Sequence, residues 1–319
     1  MKYQISPFKE EYLDSAVGLF ADAYREEQKQ SPLLPDKAVR NSGWILTCLK
    51  NLVGNPGVVI LVEGKPIAFM VSGLLFPFKG QNAVLVPEYC HASVTEDKDE
   101  LYRLKYMHLA GTWVGNGRHI HIISHFVHDR ILRETLYQLG YGAFLAESLR
   151  DLSDVIKSGD TEIIEETDFR KLVNLHIEHM RYYPESPIFI SKKDTINAAE
   201  ADIRKHSEAG DAFLVFYENS IPRGYFIVGT SALDGEGFLL QNTGTVQIKD
   251  AFVQPSLRRQ GIGEALLQYA VQWSRKKDYQ RLFVENETAN YYGGKFWKKH
   301  FHQYLNFSLR YIDNTIGFQ

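Results

Sequence analysis

Arg258, Arg259, Gln260, Gly261, Ile262 and Gly263 stand in a row between an apolar run, Thr245–Val253, and a stretch of helical periodicity that reaches Lys276. The chemistry open to such a row is anion binding. The first turn of a helix carries N–H groups without partners in the helix and a partial positive charge. Glycine at 261 and 263 lets the backbone approach a bulky group closely, and the two arginines add charge at the same point. A pyrophosphate fits such a place. The spacing excludes the commoner alternatives. Leu266 occupies the third glycine position of a dinucleotide fingerprint, and no Gly-Lys-Ser/Thr follows as a Walker loop requires. The candidate anion-side set is therefore Arg258, Arg259, Gln260, Gly261, Ile262, Gly263 and Glu264, with Phe252 and Val253 at the end of the preceding run.

The surrounding pattern supplies the elements that position this row. Thr245–Val253 reads as a strand, and Pro255 ends its ladder. Gly263–Lys276 reads as a helix, with Ile262, Leu266, Ala270 and Trp273 on one stripe and basic residues at its end. Arg281–Val284 is a strand, Asn290–Lys299 a helix and Tyr304–Tyr311 a final strand. Upstream, Glu162–Glu166 is a strand, Asp168 caps a helix running to about Tyr182, and Pro184 and Pro187 break it. Asp194–His206 is a second helix, and Ala212–Tyr217 with Gly224–Gly229 is a strand pair. The first half presents the same order: a short strand Tyr3–Pro7, helices Lys9–Gln28 and Ala38–Leu52, and strands Val58–Val62 and Ile67–Val71 around a Glu63-Gly64 turn. A further strand pair and two helices follow. The expected organisation is two domains, 1–150 and 151–319, divided by a polar stretch that ends Lys157-Ser158-Gly159-Asp160.

Composition narrows the function classes. The 319 residues are 44% hydrophobic and 24% charged, with a net charge of −3, which favours neither a nucleic-acid nor a membrane surface. The start, MKYQISPFKEEYLD, has no cationic-then-apolar leader, and no apolar run approaches the ~18 residues that span a bilayer. Cys48 and Cys90 have no metal-ligand spacing, so a cytoplasmic protein without a disulfide framework or structural zinc is expected. His119, His121, His125 and His128 are close in sequence. His119 and His121 alternate with Ile120 and Ile122, so they read as one face of a strand, and no metal is expected.

The second half resembles the GNAT N-acetyltransferases. Their most diagnostic motif, Gln/Arg-x-x-Gly-x-Gly/Ala after the fourth strand, stands here as Arg258, Gly261 and Gly263. A second family pattern, Asn-x-x-Ala-x-x-Phe-Tyr and then Gly-Phe, stands as Asn290-x-x-Gly293-x-x-Phe296-Trp297 and then His300-Phe301. Gly293 replaces Ala, Trp297 replaces the Tyr that often protonates the thiolate, and one residue is missing before Phe301. The first half is similar by topology and at Leu136–Tyr141. It has no Arg-x-x-Gly-x-Gly; the corresponding stretch, 94–100, is acidic and would repel a pyrophosphate. The resemblance thus implies an α/β (α+β) protein of two GNAT-like domains, each a mixed, mostly antiparallel central sheet flanked by helices, the first degenerate.

What the resemblance implies for function is N-acetyl transfer from acetyl-CoA to a primary amine by direct attack. The acetyl and pantetheine groups would lie between the fourth and fifth strands, against the backbone of Phe252 and Val253, with Asn290 and Phe296 beside the cofactor. Some relatives place a Glu base on the fourth strand, where this chain has Gln247. Asp250 and Glu285 are the nearby carboxylates and Tyr292, with Tyr291 and Tyr304, the nearby hydroxyls; the catalytic candidates are Asp250, Glu285 and Tyr292. Residues 178–190 are expected to line the acceptor pocket, with Glu178 or Glu185 facing a cationic amine. A small-molecule amine is the expected partner, and a homodimer is compatible. A protein or peptide N-acetyltransferase and a non-catalytic acyl-CoA sensor remain as alternatives.

Overall fold

The computed structural model describes residues 3–156, 161–230 and 237–316; residues 157–160, the end of the expected linker, lie outside these. In chain order the elements are β1 (Gln4–Pro7), α1 (Leu13–Gln30), α2 (Lys37–Arg40), α3 (Gly43–Lys50), β2 (Gly57–Val62), β3 (Lys65–Val71), β4 (Leu74–Phe78), β5 (Gln81–Val86), β6 (His91–Ser93), α4 (Lys98–Gly115), β7 (Arg118–Phe126), α5 (Arg130–Gln138) and β8 (Gly142–Asp151). They continue with β9 (Ile163–Glu166), α6 (Val173–Tyr182), α7 (Ile196–Glu208), β10 (Ala212–Glu218), β11 (Ile221–Gly229), β12 (Thr245–Val253), α8 (Ile262–Lys276), β13 (Arg281–Glu287), α9 (Tyr291–His300) and β14 (His302–Tyr311). This is a mixed α/β architecture of sheets flanked by helices. No helix among the described residues is long and apolar enough to cross a membrane.

The chain divides into two compact units, one of residues 1–146 with 303–319 and one of residues 147–302. The division near 146 lies close to the expected one at 150. The C-terminal segment, expected in the second domain, instead joins the first unit. Its strand β14 pairs antiparallel with β7, Leu305 opposite Phe126 and Tyr311 opposite Ile120. The expected helix over Ala38–Leu52 is also two shorter helices, because Asn41 and Ser42 interrupt it.

In the first unit β1, β2, β3 and β6 form one sheet. The β2–β3 hairpin turns at Glu63 and Gly64, both with positive φ. Strand β5 pairs in parallel with β7, while β6 pairs antiparallel with β3, and Pro87 marks the break between β5 and β6. Helix α4 opens on Asp97, Asp99 and Glu100 and makes the crossover to β7. Of the two histidines expected on a polar strand face, His119 is half-buried and His121 is buried, pairing with the Tyr106 hydroxyl at 2.9 Å. Further along, buried His125 pairs with Ser308 at 3.1 Å and half-buried His128 with Glu27 at 2.9 Å. His121, His125 and His128 each have their own partner, and they form no common ligand group among the described residues.

Burial in this unit has a consequence for acid stability. Loss of solvent pushes His91 down to about 3 and His121 down to about 4. In the unfolded chain both titrate at about 6.5, so the unfolded state binds more protons throughout the window between. Stability is then fully present above pH ~6.5 and falls as the pH drops towards 4. Two such groups set a slope of about 2.7 kcal/mol per pH unit. Calorimetric melts of the intact protein at pH 7, 6 and 5 are expected to show the first unit's transition moving down by several degrees per step; a flat response over that range would contradict the assignment.

The second unit is a five-stranded sheet in the order β13-β12-β11-β10-β9. Neighbours are antiparallel except β12 and β13, which α8 joins as a crossover between parallel strands. One face is closed by the apolar stripe of α8, with Ile262, Leu266, Ala270 and Trp273 packed against Leu214, Phe226 and Val246. The other is closed by Leu172, Leu175 and Ile203 against Phe213, Tyr225 and Phe252. The central strands β10, β11 and β12 are therefore covered on both faces.

Candidate active site

The site begins where two strands part. Thr245–Ile248 of β12 pair in parallel with Arg281–Val284 of β13, and there the pairing stops, although β12 runs on to Val253 and β13 to Glu287. On the other side of β12 the register shifts: Ile227 faces Asp250 while Val228 faces Ile248. Lys249 is thus an extra residue, a β-bulge, which bends the strand; beyond it Asp250–Val253 stay paired with β11 and have no partner on the β13 side. The gap between the parted strands is a cavity of about 630 Å³ lined entirely by residues of the second unit.

One end of the cavity is the turn into α8. Arg259 and Gly261 both take positive φ, 65° and 83°, which turns the chain sharply and leaves Gly261 as the N-cap with no side-chain cap. The first helical bond is Ala265 N–H to the Gly261 carbonyl at 2.9 Å, so the N–H groups before it have no helical acceptor. Gly263 must be small: a Cβ there would lie 3.1 Å from the Phe296 ring. Backbone donors and a helix dipole meet here with Arg259 on the cavity wall, a chemistry that suits an anion.

Of the residues expected from sequence, Phe252, Val253, Arg258, Arg259, Gly261, Gly263, Glu264, Asn290 and Phe296 line the cavity, as do Asp250, Glu285 and Tyr292. Gln260 and Ile262 do not. The Gln260 amide donates to the Ser256 carbonyl, and Ile262 is buried in the core, so each offers only its backbone. Arg258 differs in direction from the expected anion-side charge: its guanidinium donates to the Val253 carbonyl at 3.1 Å and lies 4.7 Å over the Tyr182 ring. Asn290 caps α9, accepting from Gly293 N–H and from the Tyr182 hydroxyl, each at 3.0 Å. Gly293 in place of Ala has a steric reason, since a Cβ there would fall 2.8 Å from the Asn290 amide nitrogen. Trp297 is buried in the core, and Tyr304 is buried within the C-terminal strand of the first unit.

The other end of the cavity is built from α6. His179, Tyr182 and Tyr183 line it, within the segment expected to face the acceptor. Glu178 instead accepts from Gln254, at 2.7 Å. Behind the wall is a polar network that the sequence did not reveal. Tyr225 is fully buried, and its hydroxyl lies 2.7 Å from His176 Nδ1 and 2.8 Å from His179 Nδ1. His176 Nε2 lies 3.0 Å from Asp202. Asp250 is flanked by His179 and His206, each at 3.8 Å. Lys249 donates to both oxygens of Asp211 at 2.9 Å, and His206 pairs with the same carboxylate. The only sequence signal was His176-x-x-His179, two histidines on one helical face. Their ring nitrogens and Asp250 lie within 4.8 Å of one another, in the manner of a cation site. Both Nδ1 atoms, however, are already committed to the Tyr225 hydroxyl.

Residues 172–302 match the model of the acetyltransferase (GNAT) family, and the chain carries a domain of that family there. No curated protein matches the chain. Among solved structures, a GCN5-related N-acetyltransferase from Sphaerobacter thermophilus aligns over 97% of this chain and 96% of its own, at 10% identity and a TM-score of 0.59. A GCN5-related glucosamine N-acetyltransferase region of a fungal multi-domain GH3 β-N-acetylglucosaminidase aligns over 96% of this chain and 38% of its own, at 10% identity and a TM-score of 0.53. These likenesses concern the fold. The matched domain is of an acetyltransferase family, whose general donor is acetyl-CoA.

Proposed function

We propose that the second unit transfers the acetyl group of acetyl-CoA to the primary amine of a small molecule. The observation that carries this reading is the parting of β12 and β13 into a cavity that has the uncapped α8 N-terminus at one end and Asp250 at the other. The pyrophosphate rests on the backbone of 259–264, and the pantetheine extends along the end of β12 on its open, β13-facing edge, where the backbone near Phe252 and Val253 offers strand-like hydrogen bonds. Phe296 and Asn290 bound the other side.

The amine attacks the thioester directly. Alignment of the two reactants in one cavity supplies much of the rate. Asp250 and Glu285 are the carboxylates at hand to hold an ammonium, and Asp250 with His179 forms the basic end. A backbone N–H near Val253 faces the developing oxyanion. Trp297 holds no usable proton, so the Tyr292 hydroxyl, exposed on the cavity rim, is the group at hand for the leaving thiolate. In the first unit the break at Pro87 and the acidic start of α4 remove both halves of such a site, and we assign it no acetyl-CoA.

The test is calorimetric titration of the whole protein with acetyl-CoA, followed by thiol release over a panel of primary amines. One micromolar site per chain and amine-dependent thiol release are expected. No binding, or two equal sites, overturns the reading. Binding without release on any amine favours an acyl-CoA sensor, and release on peptide amines alone favours a protein acetyltransferase.

A further inference from the structure

Asp202, His176, Tyr225 and His179 form a continuous line of hydrogen bonds from a half-exposed helix face to the cavity. The contacts are 3.0, 2.7 and 2.8 Å in that order. Asp202 has 43% of its side chain exposed, whereas His176 has 2% and Tyr225 is fully buried. At the far end the His179 ring is stacked on Phe252, with centroids 5.0 Å apart, and lines the cavity.

The order of donors along this line is fixed by its one member that cannot donate. Ionised Asp202 only accepts, so His176 must carry its proton on Nε2. Its Nδ1 is then a lone pair and accepts from the Tyr225 hydroxyl. Having given its single proton to His176, the Tyr225 oxygen accepts from His179, which must carry its proton on Nδ1. His179 Nε2 is left as a lone pair, and among the described residues it makes no hydrogen bond. Asp250, 3.8 Å from His179 Nδ1, favours the same tautomer.

We propose that His179 Nε2 is the base that takes the acceptor's proton, and that Tyr225 and His176 relay the charge to Asp202. This rests on the acetyl-transfer reading. The ammonium N–H bond breaks as the Nε2–H bond of His179 forms, directly or through one water. The Nδ1 proton of His179 passes to the Tyr225 oxygen, while the Tyr225 proton passes to His176 Nδ1. The charge ends as an imidazolium against the Asp202 carboxylate. The ammonium nitrogen sheds two protons on becoming an amide. One is held by the relay and returned along the same bonds to the Tyr292 phenolate left once that hydroxyl has protonated the thiolate; the other leaves to solvent. His179 is the catalytic residue, and the other three position and relay.

The relay explains how a poor base serves. Burial pushes His179 down to about 4, so alone it would hold an ammonium's proton weakly, whereas His176 holds it beside an anion. The hydrogen bond from His176 also holds the Asp202 carboxyl below its ordinary value, which keeps the starting state ionised. The other charges near His179 are Asp250 and Lys249 on β12, His206 on α7, Lys192 before α7, and Arg258. Lys249 and His206 are tied to Asp211, so they do not compete for the relay.

Two measurements test this. In the ¹⁵N-histidine spectrum of the whole protein at pH 7, His176 is expected protonated at Nε2 and His179 at Nδ1; the opposite tautomer at His179 overturns the proposal. In thiol-release assays with acetyl-CoA and the fastest amine of the panel, Tyr225→Phe and Asp202→Asn are expected to lower kcat on the order of 10²-fold. KM for acetyl-CoA should be unchanged, and the acid limb of the pH profile displaced. Asp202 is on the surface, so its variant is the safeguard should Tyr225→Phe fold poorly. If the variants turn over like the wild type with an unmoved pH profile, the relay falls and acetyl transfer stands. If the wild type binds acetyl-CoA and releases no thiol with any amine, both fall.

Discussion

Gly261→Asp is expected to reduce acetyl-CoA affinity by about 10³-fold or more. Gly261 is the uncapped N-cap of α8, with φ of 83°, and its backbone lines the end of the cavity that fits a pyrophosphate. A carboxylate placed there opposes the ligand's charge: two like charges ~4 Å apart in a partly screened site cost about 4 kcal/mol, which is roughly three decades of affinity. It would also accept from the N–H groups of the first turn, as aspartate does at an N-cap, and so occupy the donors the phosphate needs. Asn at the same position is the control. It has nearly the same volume and tolerates the left-handed region, but brings no charge, and much smaller loss is expected. Calorimetric titration of the three proteins with acetyl-CoA decides the matter. Equal loss in both variants would show that bulk, rather than charge, is what this position excludes, and unimpaired binding by Gly261→Asp would remove the pyrophosphate from this turn.

How much of this site was legible depends on how local its causes are. The strand Thr245–Val253, the stop at Pro255 and the helix after Gly261 are set by adjacent residues, and the sequence reading matches them to within a residue. The parting of β12 from β13 is less local. It depends on Lys249 being an extra residue against β11, and nothing in the run Thr245–Val253 marks one residue as surplus. Arg258 was legible as a charge but not as a direction, because it meets its acceptor, the Val253 carbonyl, only through the turn at Pro255–Leu257. The line from Asp202 to His179 joins three elements, and taken singly each residue is an ordinary polar side chain on a helix or strand. The destination of β14 was hidden for the same reason, since its partner β7 lies 179 to 191 residues away in sequence from pair to pair and either half of the chain offered a sheet for it to join.

The bulge itself predicts the second large effect. An extra residue in a strand must put its side chain somewhere, and Lys249 is turned inward, only 2% exposed, onto Asp211, which is 1% exposed. Room for that carboxylate exists because residue 229 is glycine: a Cβ there would fall 1.7 Å from Asp211 Oδ1. Removing one partner of a buried ion pair strands the other without water, at a cost of about 3–5 kcal/mol. Asp211→Ala is therefore expected to lower the melting temperature of the second unit by roughly 6–20 °C. Asp211→Ala with Lys249→Met should recover much of this, since apolar side chains of similar size can replace a buried pair at little cost. Recovery stays incomplete because His206 Nδ1 loses its acceptor as well. The folded double variant then separates stability from function. Its bulge has no tether, the end of β12 is free to shift its register on β11 or to pair with β13, and Asp250 is no longer held towards the cavity. Melting curves with acetyl-CoA titrations on all three proteins test this: a double variant that regains most of the melting temperature yet binds acetyl-CoA more weakly assigns the pair to shaping the site, whereas wild-type binding alongside that regain assigns it to folding alone.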